Sequence, residues 1–373
     1  VYGIKYLYLL LNAIVIILMF SGGLKKSTLE YFYIHMLYIV SLIIMLGITM
    51  ILLEGSSDAI IAFGVYTLPI LMWISIYSNR SLIKYPDIFT MTLFISGLVG
   101  YLGVIQFFFN PTLWGFIPLN SNQLIWAEGK TFIEYAFFFR ASSVVGSPQV
   151  LALFCALTLI ITLKNRNIID KWLFYLTIIG LFGGGLVSGG KLFFLLFFLY
   201  VTFTQIQRIR YILMSILTII GLLILINLSG IKILEIFPSI ERVFSIEAII
   251  EQEKNDSRID KYKSIIKETN PFYGNGLGKI TNKSVEGIGA SESYLLKLYY
   301  EAGFLVLLIF LVICLLSFFG YFKNSKIDAY IVLLAMLGMM IVHAFESPVF
   351  LIIWGHLLGG VMHPNKNNEY KYI

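Results

Sequence analysis

The stretch Gly303-Phe-Leu-Val-Leu-Leu-Ile-Phe-Leu-Val-Ile-Cys-Leu-Leu-Ser-Phe-Phe319 decides the fold. It holds no charge and no proline. With the residues leading into it from position 293, it is long enough to cross a bilayer. A hydrocarbon core of about 30 Å takes about 20 apolar residues in helical form. The rest of the chain is built the same way. Of its 373 residues 58% are hydrophobic and 13% charged, against about 45–50% and about 25% in soluble domains. A water-soluble protein of this length has no interior large enough to hide that much apolar surface. The proportions exclude a soluble enzyme, a disordered chain and a nucleic-acid-binding module. A backbone in lipid must satisfy its own hydrogen bonds, so the expected fold is all-α. We expect a polytopic helical bundle in which residues 1–373 form a single transmembrane domain.

Working outward from 293–319, apolar runs between polar breaks give eleven spans. The others lie near 3–20, 31–53, 59–78, 88–109, 148–163, 171–187, 191–206, 211–229, 329–345 and 347–362. The sixth and seventh are short and separated only by Ser188-Gly189-Gly190, where a broken or re-entrant segment is an alternative to a clean turn. Cys155 and Cys314 fall inside apolar runs and read as small core residues. The first run has no small-residue cleavage site and leads straight into more spans, so no cleavable signal peptide is expected.

Charge sorts the loops. If the spans alternate, Lys25, Lys26, Arg80, Lys84, Lys164, Arg166, Lys171, Arg208, Arg210, Lys323, Lys326, Lys366 and Lys371 all fall on one face. The short connections of the other face hold only Lys130, Arg140 and Lys191. Basic residues mark the cytoplasmic side. The net charge of +6 then reflects orientation rather than affinity for nucleic acid. The N-terminus is placed outside, or a twelfth span precedes the first.

Two outer segments are too long to be turns. Residues 110–147 carry Trp114, Trp126 and several Phe, which suit a membrane interface. Residues 230–292 hold nine basic and ten acidic side chains. Apolar residues there recur at helical spacing: Val243, Ile246, Ile249 and Ile250, then Ile259, Tyr262, Ile265 and Ile266. One or two amphipathic helices on the outer face are expected.

Four outer stretches concentrate the polar chemistry. Arg140-Ala-Ser-Ser-Val-Val-Gly-Ser-Pro-Gln149 precedes the fifth span, where a helix beginning at Pro148 offers backbone N–H groups to an anion. An arginine bound to a lipid headgroup is the plainer alternative. Ser188-Gly-Gly-Lys191 ends a short outer turn in a cation, which either holds a partner or snorkels to the surface. Arg258-Ile-Asp-Lys-Tyr262 reads as a helix ending before Pro271, followed by Gly274-Asn-Gly-Leu-Gly278, a tight close-approach turn. Ser291-Glu292-Ser293-Tyr294 opens the ninth span and places Glu292 where a carboxylate is favoured, as cap or as working group. Lys297 and Glu301 follow at one-turn spacings and could pair. His343, Glu346 and His356 lie in or beside the last spans and are candidates by their depth, although Glu346-Ser-Pro348 also reads as a turn. No HExxH, CxxC or Asp-x-Asp pattern is present, so chemistry without a metal is expected.

In this order, these four stretches resemble the O-antigen polymerase and O-antigen ligase superfamily of bacterial envelopes. Arg140 with Gly146-Ser-Pro148 is similar to that family's arginine followed by Gly-Asn-Pro-Asn. Ser188-Gly-Gly-Lys191 is similar to its Thr-x-Ser-Arg turn, with lysine in place of arginine. Arg258 through Tyr262, then Pro271 and Gly274 to Gly278, resembles its arginine, aromatic and Pro-x-x-Gly-x-Gly-x-Gly stretch. Ser291-Glu-Ser-Tyr294 with Glu301-Ala-Gly303 resembles its His-Asn-x-Tyr-Leu helix ending in Glu-x-Gly. The likeness covers about residues 135–305.

The resemblance implies a GT-C-like membrane glycosyltransferase at the outer, periplasmic face of a bacterial cytoplasmic membrane. Such a protein passes a glycan from undecaprenyl pyrophosphate to an acceptor hydroxyl, without a cofactor. Donor and acceptor would both be lipid-linked oligosaccharides, with membrane lipid and a chain-length regulator as further partners. Arg140, Lys191 and Arg258 would hold the pyrophosphate, with Gln149, Tyr262 and Tyr294 beside the substrate. Ligases of the superfamily carry histidine where this chain has Ser291-Glu292. That departure favours a polymerase and makes Glu292 the expected base, with His343 or Glu346 as alternatives. A ligase of the same superfamily and a lipid-linked glycan flippase are the rival readings. A flippase is expected to place its charges at mid-membrane, often within an internal repeat.

Overall fold

A computed structural model describes residues 10, 12–17, 33–53, 57–79, 85–108, 141, 143–145, 147–167, 169–205, 258–279, 293–322 and 326–342. All regular structure among these residues is helical. In chain order the helices are α1 (Tyr33–Leu52), α2 (Ser57–Asn79), α3 (Tyr85–Phe108), α4 (Pro148–Lys164), α5 (Lys171–Val187), α6 (Lys191–Gln205), α7 (Arg258–Glu268), α8 (Tyr294–Phe322) and α9 (Lys326–Ile341). A single 3-10 turn, Ser143–Val145, precedes α4.

Among the described residues, three segments are long and apolar enough to cross a membrane: Tyr33–Leu52, Thr90–Phe108 and Tyr294–Gly320. Pro148–Lys164 and Lys171–Val187 are shorter apolar helices. Large apolar side chains such as Val40, Ile43, Ile44 and Ile51 stand exposed on α1. So many outward-facing aliphatic groups belong against lipid rather than water.

The helix limits fall close to those expected from hydropathy. The turn between the sixth and seventh spans is clean: α5 stops at Val187 and α6 starts at Lys191. The helix expected before Pro271 is α7, ending at Glu268. The ninth span differs. The sequence suggests one helix over 293–319, but α8 is broken at Gly303, which has φ 79° and ψ 178°. The run that decided the fold is thus the longer limb of a broken helix, starting at the break. Its limb from Phe304 to Gly320 is about 26 Å long. The spans at 211–229 and 347–362 lie outside the described residues, as do most of the loops at 110–147 and 230–292.

The chain divides into two compact units. One comprises Val1–Thr92 with Ser257–Ile373, the other Leu93–Asp256. In the first, α8 packs against α1, α7 and α9, and α1 packs against α2. In the second, α4 is the central helix and contacts α5 and α6. Its residues Val150 to Thr162 are all buried, as expected of a helix apolar on every side.

Candidate functional site

The four stretches singled out in the sequence come together as two pairs, one in each unit. In the unit Leu93–Asp256 the pair is the Arg140–Gln149 stretch and the Ser188–Lys191 turn. Its foundation is a crossing of α3 and α5 through small residues. A Cβ on Gly100 would strike the Gly180 carbonyl, one on Gly184 would lie 2.6 Å from the Gly100 Cα, and Gly97 faces Thr177. Small residues at such spacing let two backbones meet in a membrane. The crossing sets the end of α5, and the Val187 carbonyl there accepts the Ala141 N–H at 3.1 Å. Ala141 is the next residue after Arg140, so one hydrogen bond ties the two motifs together.

Both partners of this pair are held stiffly. Ser143 has φ 49°, unusual for a residue with a Cβ. It is fixed by its N–H donating to Gln106 Oε1 at 2.8 Å and its hydroxyl donating to the Val99 carbonyl at 2.7 Å. The Ser188 hydroxyl donates to the Gly185 carbonyl at 2.6 Å and accepts the Gly190 N–H at 3.3 Å. A Cβ on Gly190 would sit 2.5 Å from Ala152 Cβ in α4, so the turn lies flat on that helix.

The α4 N-terminus departs from the anion cradle expected of it. Pro148 has no N–H, the Val150 N–H donates to Ser147 Oγ at 3.2 Å, and the Leu151 N–H donates to the Ser147 carbonyl at 3.0 Å. A good cap consumes the donors an anion needs. Gln149 is half-buried beside that cap. Lys191 is exposed at the first residue of α6. A cation at that end opposes the helix dipole, so the helix gains nothing from it.

In the other unit the pair is the Arg258–Gly278 stretch and the head of α8. Arg258 opens α7 and Tyr262 lies one turn along it. The helix lays Ile265 against Tyr300 and Leu296 of α8. The turn after it then fills the break in α8. Breaking the helix frees carbonyls, and the turn supplies their donors. The Asn275 N–H donates to the Tyr300 carbonyl at 2.7 Å and the Gly276 N–H to the Glu301 carbonyl at 3.2 Å. In return the Phe304 N–H donates to the Pro271 carbonyl at 2.8 Å. The approach is close on both sides: a Cβ on Gly274 would lie 2.6 Å from the Glu301 carbonyl carbon, and one on Gly303 would strike the Phe272 carbonyl. Gly274 and Gly303 also have positive φ, so both positions demand glycine. The Asn275 amide braces the turn, donating to the Glu268 carbonyl and accepting the Asn270 N–H. A last bond, from the Leu277 N–H to Thr49 Oγ1 at 3.0 Å, pins the turn to α1.

Under the break lies a buried polar group. Glu301 is 0% exposed, and its Oε2 accepts the Tyr66 hydroxyl of α2 at 2.9 Å. Lys297, one turn earlier on α8, is 5% exposed. Ionisable side chains this deep are costly and are retained where they have work to do. Tyr294 stacks edge-on against Tyr66 at 5.7 Å and packs on Phe310 at 5.6 Å. It is fully buried, so in this arrangement it supports the site by packing.

Arg140, Glu292, His343, Glu346 and His356 lie outside the described residues. The sequence reading overlooked Tyr66, Thr49, Gln106 and the strained Ser143. Tyr66 and Gln106 left one faint signal, a hydrogen-bonding side chain inside an otherwise apolar span. A comparison with protein-family models, with curated proteins and with solved structures finds no match, so the chemistry of this chain is read from its own residues.

Proposed function

We propose that the chain is an inverting, metal-independent glycosyltransferase that polymerises lipid-linked repeat units at the outer face of a bacterial cytoplasmic membrane. One observation supports it most: the motif stretches dock in pairs. Arg140 is next to Ala141, whose N–H donates to the Val187 carbonyl just before the Ser188–Lys191 turn, and the glycine-rich turn after Arg258 locks into the Glu301-Ala-Gly303 break. Stretches as far apart in sequence as Ala141 and Val187 would have no reason to interlock if each were only a cap or a connection.

In this reading the acceptor hydroxyl attacks the anomeric carbon of the donor glycan from the side opposite the pyrophosphate. The new glycosidic bond forms as the bond to pyrophosphate oxygen breaks, and the hydroxyl proton passes to Glu292. Negative charge gathers on the departing undecaprenyl pyrophosphate. Arg140, Lys191 and Arg258 are the cations assigned to it, and preplaced charge is what lowers such a barrier. Gln149 and Tyr262 are assigned to the substrate, and Tyr294 to holding the head of α8 in place. The full topology in this reading is eleven spans of GT-C-like arrangement, with the outer loops 110–147 and 230–292 over the site.

The test is elongation by purified protein supplied with undecaprenyl-pyrophosphate oligosaccharide and no nucleotide sugar. Longer lipid-linked glycans, formed in chelator, are expected. Failure to elongate the cognate repeat unit would refute polymerisation, and transfer onto a lipid A core instead would mark a ligase. Glu292→Gln, Arg140→Ala and Arg258→Ala should each abolish elongation with the protein still in the membrane.

A further inference from the structure

The turn that fills the α8 break turns its largest apolar side chains outward. Phe272 is 81% exposed and Tyr273 beside it is also exposed. These rings are not on a remote loop. The Pro271 carbonyl accepts the Phe304 N–H, so Phe272 sits at the level where the apolar limb of α8 begins. There Phe304 is 53% and Leu305 60% exposed. Exposed Leu308, Leu315 and Phe319 continue the same face down the helix. On α7, Ile266 is exposed between exposed Lys263 and Lys267, at positions three and four residues apart that share one helix face.

We propose that α7 and its turn are an interfacial membrane anchor, with Phe272, Tyr273 and Ile266 lying in the headgroup–acyl boundary of the bilayer. Continuity selects this occupant. The exposed rings prolong the lipid-facing stripe of a membrane helix at its outer end, where aromatic side chains collect. Charge agrees with it: Lys263 and Lys267 lie beside Ile266 and can reach anionic headgroups while their stems lie along the lipid. A sugar-stacking platform would need rings standing clear of the lipid-facing stripe, and these continue it. The anchor fixes the height of α7, and with it Arg258, relative to the membrane surface. It does not depend on the chain being a glycosyltransferase.

The test is site-directed spin labelling of the full chain in phosphatidylethanolamine–phosphatidylglycerol vesicles. Both native cysteines, Cys155 and Cys314, are buried, so introduced sites dominate the signal. Labels at Phe272→Cys and Ile266→Cys should collide more often with oxygen than with a water-soluble nickel chelate, at a depth within a few ångströms of Phe304→Cys. A label at Lys263→Cys should show the reverse. Tyr273→Cys repeats the measurement should Phe272→Cys fail to insert. Chelate accessibility at 272 and 273 equal to that at 263 would overturn the proposal. So would protection from both reagents, the mark of a second copy seated on this face, or a chelate-accessible label that only added oligosaccharide protects.

Discussion

Glycine serves opposite ends in the two units. In Leu93–Asp256, Gly100, Gly180 and Gly184 lie within intact helices and let α3 and α5 touch. In the other unit, Gly274 and Gly303 have φ of 66° and 79° and interrupt regular structure so that a turn fits into a helix. The first use asks only for space, and the second asks for a backbone shape no other residue adopts readily. Two helices can move apart to admit a methyl group. A broken helix cannot accept a Cβ without losing the break. The two units should therefore fail differently when their glycines are replaced.

The largest effect is expected at Gly303. Gly303→Ala meets both a disallowed conformation and the Phe272 carbonyl. Strain of this kind costs about 1–3 kcal/mol and overpacking about 1–3 kcal/mol more. Thermal unfolding in detergent should show most of the loss already with alanine, and little further loss with valine or leucine. At Gly180 the loss should instead grow from alanine to leucine, as α3 and α5 are pushed apart, to about 3 kcal/mol. A size series at Gly303 as steep as that at Gly180 would break the contrast.

The next effect isolates the polar group beneath the break. Tyr66→Phe removes a donor from a fully buried carboxylate, an omission that costs about 1–3 kcal/mol. Glu301→Gln keeps an oxygen that accepts the Tyr66 hydroxyl and should cost less. A double-mutant cycle of Tyr66→Phe with Glu301→Leu, which removes the acceptor, should give a coupling of about 1 kcal/mol, read from chemical or thermal unfolding. Additive losses would mean that the 2.9 Å contact does not hold α2 to α8.

Hydropathy made the helices legible, because burial in lipid demands long apolar runs and little else. The limits of α4, α5 and α6 could be read almost to the residue, since Pro148, Ser188-Gly-Gly190 and a charge border them. The stretches around Arg140, Lys191, Arg258 and Tyr294 stood out because polar residues are scarce in this chain. Their pairing could not be read. It rests on backbone hydrogen bonds such as Ala141 to Val187 and Asn275 to Tyr300, and backbone donors look alike in every sequence. The break at Gly303 was hidden for a related reason. A single glycine in an apolar run is ordinary in membrane helices, and only its positive φ distinguishes it. Tyr66 was masked by its apolar neighbours, since nothing local says that a carboxylate 235 residues away needs its hydroxyl.

The smallest effect sharpens the comparison most, because it asks whether the unit of intact helices stores backbone strain at all. Ser143 is the one described residue other than glycine with positive φ. Its N–H and hydroxyl are both used, toward Gln106 and Val99. Ser143→Gly relieves the backbone but gives up the hydroxyl bond, worth about 0.5–1.5 kcal/mol. Relief and loss should nearly cancel, leaving the unfolding midpoint within a degree or two. Ser143→Ala loses the same bond and keeps the strain, so it should be less stable than Ser143→Gly by about 1 kcal/mol. That order is the reverse of the usual ranking, in which alanine is the milder replacement. If alanine proved the milder here too, the hydroxyl rather than the backbone would be what holds the stretch after Arg140 in place.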